Sequence, residues 1–165
     1  MPIKILTLTA LLSLGAVSNG VLASGTHAGG RDDGDAIGVP GKAAKVTRTI
    51  AVDMTDNMRF KPERISVSRG ETIRFKVRNS GKLKHELVLG TKKELEEHYK
   101  AMMKFPEMEH EEDNMITLAP AKSGEIVWQF TKSGKVDFAC LQPGHYEAGM
   151  KGQVIVTAKQ KQGNK

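Results

Sequence analysis

From residue 46 onward, apolar side chains recur at every second position in short runs separated by turn residues. Val46, Ile50 and Val52 share one parity, Thr47 and Thr49 take the other, and Arg48 interrupts the apolar face. Phe60-Lys61-Pro62 is a break. Ile65 and Val67 alternate again before a turn at Gly70-Glu71. Ile73, Phe75 and Val77 mark a further strand ending at Asn79-Ser80-Gly81, and His85 to Leu89 a short one with Leu87 and Leu89 on one face and His85 in register with them. The period then changes. Thr91-Lys92-Lys93-Glu94 has the form of a capping box, and Leu95, His98, Tyr99 and Met102 follow at helical spacing, which predicts a helix near 92–104 stopped before Pro106. Residues 105–116 read as irregular. Alternation returns at Ile126, Trp128 and Phe130, at Val136, Phe138 and Cys140 after a turn at Ser133-Gly134, and at Val154 and Val156. Several short strands separated by turn signals predict an all-β fold, an antiparallel sandwich or barrel, with one short helical excursion and no internal repeat.

The N-terminus has a different pattern. Lys4 precedes a mostly apolar run from Ile5 to Val17, and Val21-Leu22-Ala23 fits a small-residue cleavage site. This reads as a secretory signal peptide over 1–23, since the run is too short and too broken by Gly and Ser for a membrane span. Residues 24–45 are rich in Gly and small residues and read as a flexible leader, 46–158 as one domain, and 159–165 as a disordered basic tail. The expectation is an exported protein, soluble once the signal is removed.

Charge refines this outline only locally. The formal net charge is +6, but residues 91–115 carry eight acids against four lysines. Aromatic residues are few and not interleaved with the basic ones, so nucleic acid is excluded as a partner.

The chemistry is concentrated in ACLQPGHYEAGMKG, residues 139–152. Cys140 is the only cysteine. In an oxidising compartment an odd cysteine pairs with another chain, stays reactive, or is occupied. His145 and Met150 follow at intervals of five, and Pro143-Gly144 and Gly149 supply turns that can aim all three side chains at one point. Thiolate and thioether are soft donors and imidazole is intermediate, a set that favours copper, whereas zinc sites seldom use thioether. A trigonal His₂Cys set with a weak axial Met is a blue-copper arrangement, so a second histidine is needed. Of the five histidines, His27 lies in the leader, His98 and His110 in the excursion, and His145 in the loop. His85, on a predicted strand, is the natural fourth ligand. The candidate metal ligands are therefore His85, Cys140, His145 and Met150.

Asn79 and His85, followed far downstream by Cys140-x₄-His145-x₄-Met150, resemble the cupredoxins, the family of plastocyanin, azurin, pseudoazurin and rusticyanin. Phe60-Lys61-Pro62, Ile65, Val67, Gly70 and Phe75 are similar to that family's early strands. HELVLGT at 85–91, KFPEMEHEEDNM at 104–115 and DFACLQPGHYEAGMKG at 137–152 look like the periplasmic copper-tolerance cupredoxins of Gram-negative bacteria. The resemblance covers about residues 46–158. It implies a Greek-key β-sandwich with one type 1 copper cycling between Cu(I) and Cu(II), with His85 and His145 equatorial, Cys140 carrying most of the electronic coupling, Met150 axial, and His145 near the surface passing the electron. Two features depart from plastocyanin-like members: Glu86 follows the first histidine where Asn or Ser is common, and four residues rather than two separate Cys140 from His145.

His98, Met102, Met103, Met108, His110 and Met115 crowd into the acidic excursion. They could form a second, weaker copper site, because thioethers bind Cu(I) without deprotonation. The competing reading is a helical stripe of Leu95, Tyr99 and Met102 packed on the sandwich, with Met as gap-filler. The functional expectation is a periplasmic copper protein of copper tolerance with one-electron transfer capability, working as a monomer with copper ions and a redox or copper-handling protein as partners. The alternative is a dedicated electron shuttle between respiratory partners. An oxidase or nitrite reductase needs further histidine clusters, and a cysteine hydrolase needs better nucleophile–base geometry than a turn offers, so no enzyme is expected.

Overall fold

The structure, a computed structural model, describes residues 36–105 and 111–159. The segment expected to be a signal peptide, most of the expected leader and residues 160–165 lie outside them. In chain order the strands are β1 (Val39–Pro40), β2 (Arg48–Thr55), β3 (Arg59–Lys61), β4 (Arg64–Ser68), β5 (Thr72–Asn79), β6 (His85–Gly90), β7 (Met115–Leu118), β8 (Ser123–Gln129), β9 (Gly134–Ala139) and β10 (Lys151–Thr157), with one α-helix, α1 (Lys92–Lys104), between β6 and β7. They form two five-stranded sheets, ordered β1-β8-β5-β2-β3 and β4-β10-β9-β6-β7. This is the expected β-sandwich with one helical excursion.

The alternation read from the sequence places the core. Val52, Phe75, Val77, Ile126 and Trp128 from one sheet meet Val67, Leu87, Leu89, Val136, Phe138 and Val154 from the other in one buried cluster. Edge-to-face ring pairs fix its interior: Phe60 on Phe138 at 5.1 Å and Phe75 on Phe130 at 6.2 Å between centroids.

Four details differ from the sequence reading. The sheets are mixed: β2 runs parallel to β5, and β4 parallel to β10, because the chain changes sheet between each pair. The sandwich also begins before residue 46. Val39 and Pro40 pair with Gln129 and Trp128, Ile37 is buried in the core, and the Trp128 indole N–H donates to Ile37 O at 2.8 Å. The end of the expected leader is thus an edge of the first sheet. The break at Phe60-Lys61 is a short strand, β3, paired with β2, and the buried Phe60 ring requires that backbone to stay against the sheet. Finally, the stretch expected to be irregular up to 116 gives way at Met115 to β7, which pairs with β6.

The helix spans the expected residues. Thr91 Oγ1 accepts the Glu94 N–H while the Glu94 carboxylate accepts the Thr91 N–H, so two otherwise orphaned donors are satisfied at the N-terminus. Leu95 and Met102 bury against Val88, Ala139 and Leu141 on the outer face of the second sheet, with Tyr99 at the margin. This second cluster explains why β6 is buried along its whole length rather than on alternate residues.

Candidate metal centre

The strands bring together two distant stretches of sequence. The hairpin of β9 and β10 pairs Ala139 with Lys151, so Cys140 leaves the end of one strand and Met150 enters the start of the next. The loop between them folds on itself: Cys140 N–H donates to Met150 O, His145 N–H to Gln142 O, and Met150 N–H to His145 O, all at 3.0–3.1 Å. β6 lies beside β9 and carries His85 at its start.

The side chains converge. His145 Nδ1 lies 3.3 Å from Cys140 Sγ and 3.2 Å from His85 Nδ1. The Sγ and the two imidazole nitrogens all fall within 4.8 Å of one another, and among the described residues no other group of three or more His, Cys, Asp or Glu side chains meets that condition. Met150 is fully buried beside them in the same core cluster as Cys140. The four residues singled out from the sequence therefore sit at one end of the sandwich. His85 and Cys140 are sealed from solvent and His145 is half-buried.

Neighbouring groups set the orientation and protonation of these donors. His85 Nε2 is 3.0 Å from Asp56 Oδ1. A carboxylate accepts, so the ring N–H sits on Nε2, and the other ring nitrogen, Nδ1, faces the cysteine loop. Asp56 also takes the Lys82 N–H at 2.7 Å and the Leu83 N–H at 3.3 Å, and these bonds, that of Lys82 first, hold its carboxyl below the usual range. The approach leaves no room at residue 81: a Cβ on Gly81 would lie 1.9 Å from Asp56 Oδ1. Buried Asn79 braces the same turn, donating to Leu83 O and Leu118 O and accepting from Gly81 N–H.

On the cysteine side, burial pushes the thiol up to about 12, against the opposing pull of N–H groups from Glu86 and Gln142 aimed at the sulfur. Burial first, then the neighbouring His85, pushes the His145 imidazole below its usual range. The methionine side is held by Arg59, which donates to Ala148 O at 3.0 Å and Met58 O at 2.7 Å. It passes so close to Gly149, whose φ is +92°, that a side chain there would be both strained and crowded. Tyr146 stacks on Tyr99 of α1 at 5.1 Å, and the Tyr99 hydroxyl donates to Glu147.

The donors fit copper. One sulfur and two imidazole nitrogens within 4.8 Å of one another, with a buried thioether residue in the same cluster, form a soft donor set. Asp56, Arg59 and the Glu86 carboxylate were not singled out as site residues by sequence reasoning. For Asp56 and Arg59 the only sequence signal is polarity, and for Glu86 its place directly after His85; their contacts arise from tertiary approach across 29 to 89 residues.

The excursion does not assemble in the same way. Met102 and Met115 are buried among Val88, Leu95 and Leu141, which is the gap-filling role of the competing reading. Met103 is 53% exposed, His98 is half-buried, and Met108 and His110 lie outside the described residues. The soft-donor patch of six is thus divided, its two packed thioethers serving the interface between helix and sheet.

A sandwich with a His-Cys-His cluster at one end defines a class of mononuclear metal protein. The model of the copper-binding plastocyanin/azurin family matches residues 46–157, and the chain belongs to that family, a cupredoxin. It is 50% identical over 133 residues to the "copper-resistant cuproprotein CopI" of Rubrivivax gelatinosus, covering 81% of this chain and 79% of that one. It is 35% identical to the protein of the same name from Pseudomonas aeruginosa, covering 88% and 96%. Among solved structures it is similar in fold to auracyanin B, with a TM-score of 0.59 at 21% identity over 74% of this chain and 95% of that one. It is likewise similar to dithionite-reduced auracyanin from Roseiflexus castenholzii, with a TM-score of 0.57 at 22% identity, covering 68% and 98%.

Proposed function

We propose that this chain is an exported, periplasmic type 1 copper protein that acts in copper tolerance and can pass single electrons, and that it catalyses no reaction of its own. The observation that carries the reading is the contact of Cys140 Sγ and His85 Nδ1 with His145 Nδ1, at 3.3 and 3.2 Å, beside buried Met150. His85, Cys140, His145 and Met150 would hold the copper. Bound copper would supply a one-electron couple, and this chain supplies the conditions for using it. Two sheets and a hydrogen-bonded loop hold the donors in place, which keeps rearrangement small when charge changes. Half-buried His145 is the member of the set that reaches toward solvent, which suits it as the point of electron exchange.

Copper tolerance is supported by the CopI relatives, which are described as copper-resistant cuproproteins. Export is supported by the signal-like segment at 1–23, and among the described residues no helix is long and apolar enough to cross a membrane. The direct test is the visible spectrum of the copper-loaded protein. Intense thiolate-to-copper absorption that bleaches with a reductant and is absent in Cys140→Ala is the expected result. A colourless protein that takes zinc equally well would refute the site. Deleting the gene and restoring it with wild type or Cys140→Ala tests physiology: only wild type should recover growth on copper.

A further inference from the structure

Arg59 stands on β3, an edge strand of the first sheet, yet its guanidinium ends on the loop that joins β9 to β10 of the second. Nη1 donates to Ala148 O at 3.0 Å and to Met58 O at 2.7 Å, and Nε lies 3.4 Å from Glu63 Oε1. Glu63 O in turn accepts the Gln153 N–H at 2.8 Å, so the short stretch from Arg59 to Glu63 holds the chain on both sides of Met150. The turn leading to Met150 otherwise closes on itself: Ala148 N–H donates to Gly144 O, Gly149 N–H to Tyr146 O and Met150 N–H to His145 O. Ala148 O instead reaches across to the other sheet. Between Ala148 and Met150 stands Gly149 at φ +92°, where a Cβ would lie 3.1 Å from Arg59 Nη1 and 3.6 Å from its Cζ. The guanidinium thus crowds the place that a side chain would take on the residue directly before the methionine.

We propose that Arg59 is a positioning residue for the Met150 thioether, a tie between the two sheets that fixes the turn from which the methionine enters the site. This rests on reading the site as type 1 copper. His85, Cys140, His145 and Met150 all lie on strands of the second sheet or on the loop between two of them. The bonds inside that loop, Met150 N–H to His145 O and Cys140 N–H to Met150 O, fix these residues relative to one another. They leave the turn as a whole free to tilt. Arg59 removes that freedom, because a rigid guanidinium held by its own strand and by Glu63 gives Ala148 O a donor of fixed direction, which a flexible ammonium would not. The weak thioether of such a site tunes its preference between the two copper oxidation states, so a small tilt at 148–149 is read out at the metal. An arginine that served only as an exposed tether would change stability a little when replaced and leave the electronic properties of the site alone.

The test compares copper-loaded wild type, Arg59→Lys, Met150→Leu and the double variant by charge-transfer absorption, copper release to a chelator and thermal unfolding. Lys keeps the positive charge and loses the fork. In Arg59→Lys the relative intensities of the charge-transfer bands should change, and copper should leave at least about tenfold faster. The double variant should match Met150→Leu in both readouts, because without the thioether Arg59 has nothing to position. An Arg59→Lys protein that matches wild type in spectrum and release, and differs only in melting temperature, overturns the assignment. So does an Arg59→Lys effect that persists undiminished in the Met150→Leu background. Should Met150→Leu fail to fold or to take up copper, Arg59→Lys decides alone, unchanged bands and release counting against the proposal. A wild type without a thiolate band would instead strike down the copper reading beneath it.

Discussion

Loading copper onto Cys140 means removing a proton that the fold holds tightly. Burial raises the thiol from 9.0 to about 12. Three units correspond to about 4 kcal/mol of extra resistance to ionisation, which metal binding must overcome. The consequence is a proton count. At pH 8 an ordinary thiol is about 0.9 protonated and at pH 10 about 0.1, whereas Cys140 remains protonated at both. His145, pushed down by burial, adds no proton in this range. Titrating Cu(I) calorimetrically in two buffers of different ionisation enthalpy at each pH measures the release. We expect close to one proton per copper at pH 8 and at pH 10, and none from this position in Cys140→Ala. The copper-free protein should show the same linkage in its stability. Because the folded thiol has the raised value, the folded state holds the proton more tightly. Its advantage is complete below 9 and is lost as pH rises from 9 toward 12, about 1 kcal/mol of it between pH 8 and 10. A release near 0.1 at pH 10 would show that the thiol is not sealed as described, and the argument from burial would fall.

Asp56→Asn weakens the acceptor that fixes the His85 tautomer, and copper affinity should fall about 10- to 100-fold by chelator competition, with the far-ultraviolet circular dichroism unchanged. Leu95→Ala should cost about 2–5 kcal/mol in urea unfolding, because Leu95 is fully packed between α1 and the second sheet; a cost below about 1 kcal/mol would mean that the helix is not docked there. Gly152→Ala places a Cβ 2.2 Å from Phe138 Cζ and 2.6 Å from Glu63 O, so it should destabilise by about 1–3 kcal/mol or more in urea unfolding; an unchanged midpoint would refute the close packing of β10 on Phe138. A chain beginning at Val46 lacks Ile37 and the β1 pairing and should melt below one beginning at Arg31; equal melting temperatures would refute the N-terminal extension of the sandwich.

The sequence made local features plain because their causes are local. Period-two alternation marks a strand wherever one face is buried, and a capping box marks a helix start because both of its bonds close within four residues. The cysteine loop was equally readable, since three donors of one chemical kind at fixed spacing need only a turn to converge. His85 was reached by elimination among five histidines. What alternation does not encode is which strand lies beside which. The parallel pairs β2/β5 and β4/β10 depend on the chain changing sheet, a property of the assembled sandwich. The two residues of β1 are too few to show any period. Met102 and Met115 show the opposite ambiguity: the same thioether suits a soft-metal patch or a packing gap, and only the position of Leu141 and Val88 against them decides for packing.

The carboxylates around the site carry this reasoning furthest. In the sequence Asp56 and Glu86 are two acids among nineteen. In the fold one accepts from the far nitrogen of His85 and the other from the backbone just past Cys140. Neither contact joins neighbouring residues, and both require that β6 already lie between the turn holding Asp56 and the loop holding Cys140. The ligands are thus specified by residue type and spacing, while their orientation is specified by sheet order. A cupredoxin with the same four candidate ligands but another residue at 56 would keep that set and aim its strand-borne histidine differently.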